Sequence, residues 1–202
     1  MYKNFFKRFF DIIISFIGIL VLILPMIIFG VLVKLSSKGP VLFWQKRIGK
    51  DKKIFMMPKF RTMYIDTPSE TATHLLTNPE SHITKVGKVY RKLSIDELPQ
   101  LFSILKGDMS IIGPRPALWN QFDLIEEREK YNANSLRPGL TGWAQINGRD
   151  ELPIDIKAKF DGDYVKNLSL AFDIKCFFGT IKKVLTGKGV VEGKQENLIE
   201  LD

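Results

Sequence analysis

The longest unbroken apolar pattern in the chain lies near its beginning. From Ile12 to Val33 the only polar side chain is Ser15, and as a straight helix this stretch would be about 33 Å long, enough to cross a bilayer. Pro25 falls in the middle, where it removes a backbone hydrogen bond and bends a helix. Lys3, Lys7 and Arg8 precede the run and Lys34 and Lys38 follow it, so the distribution of positive charge assigns no orientation. Two topologies fit: a tilted single span, or a helix that enters, breaks at Pro25 and returns by the same face. The length of the run argues against a cleaved signal peptide.

Beyond this segment the pattern becomes that of a small α/β unit, mostly helical with one short hairpin. Val41–Trp44 and Ile54–Met57 are short apolar runs on either side of Gly49-Lys50-Asp51-Lys52-Lys53, which predicts a hairpin with a basic turn. Residues 67–81 form a polar, proline-punctuated loop. Leu98–Leu105 is predicted as a helix ended by Gly107, Met109–Ile112 as a strand, and Ala117–Lys130 as a helix. Ile154–Lys166 and Leu170–Leu185 carry helical spacing. The second places Leu170, Ile174, Phe177, Phe178 and Ile181 beside Lys175, Lys182 and Lys183. It suits an amphipathic helix at a lipid surface, or a core-facing helix with a basic edge. The expected organisation is residues 1–35 as the membrane helix, 36–188 as a catalytic-sized domain and 189–202 as a tail.

Composition narrows the chemistry. The 202 residues carry a formal net charge of +8, which directs attention to anionic lipid or a phosphorylated substrate, and the membrane segment disfavours nucleic acid. Cys176 is the only cysteine, and the two histidines, His74 and His82, lie in a Thr-, Ser- and Pro-rich stretch. That excludes an intrachain disulfide and leaves little for histidine-based nucleophilic catalysis. Carboxylates remain.

Asp96 and Glu97 are adjacent, in Arg91-Lys-Leu-Ser-Ile-Asp-Glu-Leu-Pro99. A carboxylate at a helix start is favoured as the anion and can bind a divalent cation or attack an electrophile. Ser94-x-x-Glu97 also has the spacing of a capping box, a purely structural alternative, although Pro99 then falls awkwardly in the first turn. Basic clusters accompany the pair. Lys59 and Arg61 would share one strand face as a phosphate clamp, and Arg91 could steer a phosphate toward Asp96. Pro114, Arg115 and Pro116 would form a rigid shelf. Arg137 and Arg149 bracket a glycine-rich loop whose backbone could approach a ligand closely, with Gln145 inside it. Each cluster alone also reads as an ordinary surface or turn feature.

In order, Lys59-Phe-Arg-Thr-Met63, Arg91 with Leu93-Ser-Ile-Asp-Glu-Leu-Pro-Gln-Leu101, Lys106-Gly-Asp-Met-Ser110, Gly113-Pro-Arg-Pro116 and Arg137-Pro-Gly-Leu-Thr-Gly-Trp-Ala-Gln-Ile-Asn-Gly-Arg149 closely resemble the bacterial monotopic phosphoglycosyl transferases. These sugar transferases initiate capsule, lipopolysaccharide or glycoprotein glycans. The resemblance covers nearly the whole chain. It implies transfer of a sugar-1-phosphate from a UDP-sugar to polyprenyl phosphate with release of UMP. It also implies a re-entrant N-terminal helix, a location on the cytoplasmic face of the bacterial inner membrane, and downstream glycosyltransferases as possible partners. By position, Asp96 is the implied nucleophile and Mg²⁺ ligand and Glu97 assists it. Arg91 is implied to contact polyprenyl phosphate, and the Pro114–Pro116 shelf and the loop ending at Arg149 to face the nucleotide-sugar. The resemblance in residues 66–79 points to N-acetylated deoxyamino sugars, and the chain reads as the short form of the family. One departure is Leu24-Pro25 where many members break the helix at Ser-Pro. A membrane scaffold that binds anionic lipid and a UDP-sugar hydrolase are the competing functions.

Overall fold

The structure, a computed structural model, describes residues 2–67, 79–148 and 152–186. After a π-helical turn at Tyr2–Phe6, α1 runs from Lys7–Ser36 as one helix of 30 residues with Pro25 inside it. The chain therefore does not leave the helix at Pro25. The lost hydrogen bond is tolerated because Leu22, Met26 and Phe29, on either side of the proline, pack into one cluster with Phe60 and Tyr90.

Each part of α1 touches the rest of the protein. Arg8 donates to the carbonyls of Ile104 (2.6 Å) and Leu105 (2.9 Å). The Asp11 carboxylate accepts from the Ser110 hydroxyl and the Ile111 N–H. Gly18 faces Leu101, Gly30 faces Val41 and Phe60, and the carbonyl of Phe29 accepts from the Tyr90 hydroxyl. The buried positions Asp11, Ser15, Met26, Gly30 and Val33 form one stripe, as a repeat of three and four residues requires. The stripe is where the polar and small residues sit. Ile13, Phe16, Leu20, Leu24, Ile27, Val31 and Leu35 on other faces are exposed.

A hairpin follows, β1 (Leu42–Ile48) against β2 (Ile54–Phe60), in register from Leu42 opposite Phe60 to Ile48 opposite Ile54. Its turn contains a short 3-10 helix, Lys50–Lys52, in which Asp51 and Lys52 adopt positive φ. After α2 (Pro79–His82), α3 (Lys85–Leu93) is N-capped by Thr84, whose hydroxyl accepts from the Gly87 N–H. A 3-10 turn at Ile95–Glu97 leads into α4 (Gln100–Lys106), which Gly107 ends at φ 108°. Strand β3 (Ser110–Ile112) is buried throughout and pairs in parallel with β4 (Gly139–Thr141). Between them lie α5 (Phe122–Glu129) and a 3-10 turn at Ala133–Ser135. The chain continues through α6 (Trp143–Ile146), α7 (Ile154–Asn167) and α8 (Leu170–Thr186).

The mostly helical expectation and the hairpin hold, and the β3–β4 pair adds a second small sheet. The expected helix from Ala117 is shorter. Ala117 and Leu118 extend the hairpin instead, the Ala117 carbonyl accepting from the Ile48 N–H and Leu118 bridging to Arg47. The central core joins Phe55 and Met57 of the hairpin to Leu101, Ile104, Met109, Ile112, Tyr164 and Cys176, with Ile19 and Leu22 of α1 packed against it. On α8, Cys176 is buried while Leu170, Ile174, Phe177, Phe178 and Ile181 are exposed. The Lys175 ammonium lies 4.6 Å from the Trp143 ring centre.

Candidate active site

Asp96 and Glu97 sit in the single 3-10 turn that separates α3 from α4. Ser94 sets this geometry. At φ 55° it closes α3 as a left-handed cap, its N–H reaching the carbonyls of Arg91 and Tyr90. It also stands at the N-cap position of the turn that follows, its carbonyl accepting from the Glu97 N–H, but its side chain makes no capping bond. The capping-box alternative is overturned, because that motif needs the serine hydroxyl on a backbone N–H of the following turn. Pro99 precedes Gln100, where its missing N–H costs nothing.

Both carboxylates are buried, at 8% and 7% exposure, so their charges must be met by protein groups. They are met unequally. Glu97 Oε1 accepts from Lys59 Nζ at 3.1 Å and from Arg115 Nη2 at 3.0 Å. Asp96 has Lys59 Nζ at 3.9 Å, an ion pair beyond hydrogen-bond length. Arg91, in the last turn of α3, and Arg115 add their fields. Burial is the stronger influence on Asp96 and raises its pKa above the usual carboxylate value, against the opposing pull of Lys59; Glu97 raises it further. Burial likewise lowers the pKa of Lys59, despite the two carboxylates facing it. Glu97 is thus pinned between two cations, while Asp96 keeps the freer oxygen.

The structure brings together Lys59, Arg91, Asp96, Glu97 and Arg115, the last held between Pro114 and Pro116. Two groups behind them were not anticipated. Arg47 Nη1 donates to the Pro116 carbonyl. Arg128 donates to the Arg115 carbonyl at 3.0 Å while paired with Asp161 at 2.6 Å. Arg47 could have been reached by continuing the hairpin's alternation past Trp44. Arg128 and Asp161 lie on separate helices, and no local pattern links them.

Other expected residues lie elsewhere. Arg61 follows the end of β2 and does not share a face with Lys59 as a clamp. Its guanidinium holds the chain after α1 through the Lys38 carbonyl, the Ser37 carbonyl and the Ser37 hydroxyl. Arg137 Nε donates to the Gly107 carbonyl at the end of α4. Gln145 is buried beside Gly142, and neither amide atom has a hydrogen-bond partner among the described residues. Arg149 lies outside the described residues. The glycines of this loop meet protein backbone rather than open space: a Cβ on Gly139 would stand 2.1 Å from Gly113 N, and one on Gly142 2.0 Å from Gly113 O. They allow the loop to pack on the start of the Pro-Arg-Pro shelf.

Among the described residues no cluster of three or more carboxylates, histidines or cysteines is present. A Mg²⁺ site does not need one, since this ion is commonly held by one or two carboxylates together with substrate phosphates. Asp96, the less engaged carboxylate of the pair, fits that requirement.

The chain matches the bacterial sugar transferase family over residues 2–187. It belongs to this family. It is 42% identical over 191 residues to the UDP-N-acetylgalactosamine-undecaprenyl-phosphate N-acetylgalactosaminephosphotransferase of Aeromonas hydrophila, covering 92% of this chain and 45% of that protein. It is 37% identical to the undecaprenyl-phosphate galactose phosphotransferase of Salmonella typhimurium, covering 93% of this chain and 42% of the relative. With the uncharacterized sugar transferase EpsL of Bacillus subtilis it shares 43% identity over 78% of this chain and 76% of the other. The chain thus spans about half the length or less of the first two relatives and most of the third.

Proposed function

We propose that this chain is a phosphoglycosyl transferase that moves a sugar-1-phosphate from a UDP-sugar to undecaprenyl phosphate, releasing UMP, with Asp96 as nucleophile. The observation that carries the assignment of Asp96 is the unequal pairing of the carboxylates. Glu97 is neutralised by Lys59 and Arg115, so Asp96 has the oxygen available to a phosphorus atom. The names of the relatives support the reaction class.

In this reading an Asp96 oxygen attacks the sugar-bearing phosphorus of the donor. The bond from that phosphorus to the bridging oxygen breaks, and UMP departs with the electron pair. The resulting acyl phosphate carries the sugar until a phosphate oxygen of the lipid attacks the same phosphorus and restores the carboxylate. Arg91 and Arg115 neutralise phosphate charge, Lys59 holds Glu97 in place, and Mg²⁺ held by Asp96 would supply further charge neutralisation. Gln145 and Arg149 remain proposed contacts to the donor, whereas Arg137, held at the Gly107 carbonyl, is not assigned one.

Full-length protein mixed with UDP-sugar and Mg²⁺ without lipid should release UMP stoichiometric with enzyme and gain the mass of one phosphosugar. Asp96→Asn should lose both, with turnover lowered on the order of 10³-fold or more. An adduct that survives in Asp96→Asn would sink the assignment. A panel of UDP-sugars in the same assay tests the expected N-acetylated deoxyamino donor.

The membrane reading is that α1 is re-entrant and holds the domain on the cytoplasmic face, with α8 at the lipid surface. Its support is that α1, roughly 45 Å long if straight, is contacted by the same unit at Arg8, Gly18 and Gly30, which a helix departing across a bilayer could not be. Tags at Met1 and Asp202 should both be reached only from the cytoplasm, and labelling of a Met1 tag on intact cells would contradict it.

A further inference from the structure

A cavity of about 350 Å³ opens between the start of α1, the hairpin turn and the segment before β4. Lys3, Lys7, Arg8, Lys50 and Arg137 line it, against the single carboxylate of Asp11. It is not part of the Asp96 site. Lys50 follows β1 at the hairpin turn and Lys59 lies near the far end of β2, so the two are on the order of 15–20 Å apart along the strand.

The carboxylates near these cations are few: Asp51 lies 3.8 Å from Lys50, and the field of Asp11 reaches Arg8. Lys7 is paired with Asp173 at 2.8 Å. Asp11 is committed to the Ser110 hydroxyl and the Ile111 N–H. Arg8 and Arg137 are fixed by neutral carbonyls at the end of α4, those of Ile104, Leu105 and Gly107. They are held close enough to repel each other. Lys3 and Lys50 stand on the same lining. Guanidiniums anchored side by side without a shared carboxylate form a preorganised receptor for a tetrahedral oxyanion, which bridges them and relieves their repulsion. We infer that this cavity binds a phosphate group, as a phospholipid headgroup or as a soluble phosphate, at a site separate from the transferase centre. The exposed rings of Phe5, Phe6 and Phe9, interleaved in sequence with the lining residues Lys3, Lys7 and Arg8, suit the lipid source.

The test uses the full-length protein in phosphatidylcholine nanodiscs. One arm titrates inorganic phosphate and reads binding by calorimetry. The other adds phosphatidylglycerol to the nanodiscs and reads lipid retained by native mass spectrometry. Lys3→Gln/Lys50→Gln should weaken the signal about tenfold or more, while Lys159→Gln/Lys166→Gln, which removes equal charge from the exposed side of α7, should leave it unchanged. UMP release without lipid acceptor should persist in both variants. A charge-dependent signal in the phosphate arm assigns a soluble ligand, and one confined to the phosphatidylglycerol arm assigns the headgroup. No signal in either arm overturns the inference, as does equal weakening by both variants or a signal indifferent to Lys3 and Lys50.

Discussion

Asp161 and Asp96 are both buried carboxylates that face a cation, and the protein treats them in opposite ways. Asp161, 1% exposed, is gripped by Arg128 through Nε at 2.8 Å and Nη2 at 2.6 Å. Asp96, 8% exposed, has its ammonium at 3.9 Å, and that ammonium is committed more closely to Glu97. Burial pushes both carboxyls up, and at Asp161 the Arg128 field and hydrogen bond oppose it directly. Both Arg128 contacts fall on Asp161 Oδ2, and Oδ1, without a hydrogen-bond partner among the described residues, is sealed inside the protein, so this pair can only support, which it does by holding the Arg115 carbonyl. A pair left open keeps an oxygen for an incoming group.

The comparison can be broken most forcefully at Arg128. Arg128→Ala leaves Asp161 buried without its cation and should cost roughly 3–5 kcal/mol of stability, read as a fall in the denaturant midpoint. Arg128→Met with Asp161→Leu removes both charges. It should restore most of that stability yet leave UMP release depressed, because the Arg115 carbonyl has still lost its donor; full recovery of both would reduce the pair to packing.

A smaller effect should appear at Asp96 itself. A raised carboxyl pKa means that the folded protein binds this proton more tightly than the unfolded chain. The ionised group therefore costs stability, absent below about pH 3.9 and fully present once the pH exceeds the folded pKa. Asp96→Asn, which keeps Lys59 paired with Glu97, should raise the thermal midpoint at pH 7 to 8, with the gain shrinking as the pH falls. A midpoint that drops instead at neutral pH would mean that Asp96 is a structural ion-pair partner like Asp161.

Features carried by local pattern were legible in the sequence: the hairpin from its two apolar runs, α7 and α8 from helical spacing, and the end of α4 from Gly107. The carboxylate pair stood out by its adjacency among basic clusters, and the structure gathers Lys59 and Arg115 around it. Most of what escaped was set at a distance. Helix α3 carries Val86, Val89, Tyr90 and Leu93 at helical spacing, a local signal that was passed over, while the burial of its Tyr90 depends on α1. The β3–β4 pairing joins two three-residue strands through contacts no local window contains. Arg61 looked like a second phosphate contact until the path of the chain beyond α1 supplied it with the Ser37 and Lys38 carbonyls. The glycines of residues 137–149 signalled a close approach correctly, but the approaching group is the Gly113 peptide.

Helix α1 contributes Met26 and Val33 to one core cluster and packs Ile19 and Leu22 against another, while Arg8 and Asp11 satisfy backbone groups of α4 and β3. Its attachment and its folding role are therefore carried by the same residues. A truncated chain beginning after Ser36 would uncover Leu101, Phe60 and Tyr90 and leave the Ile111 N–H without its carboxylate. Solubility cannot be gained by cutting this helix away; it has to be approached by recolouring the outward positions, Leu20, Leu24, Ile27 and Val31 among them, while the inward stripe is left intact.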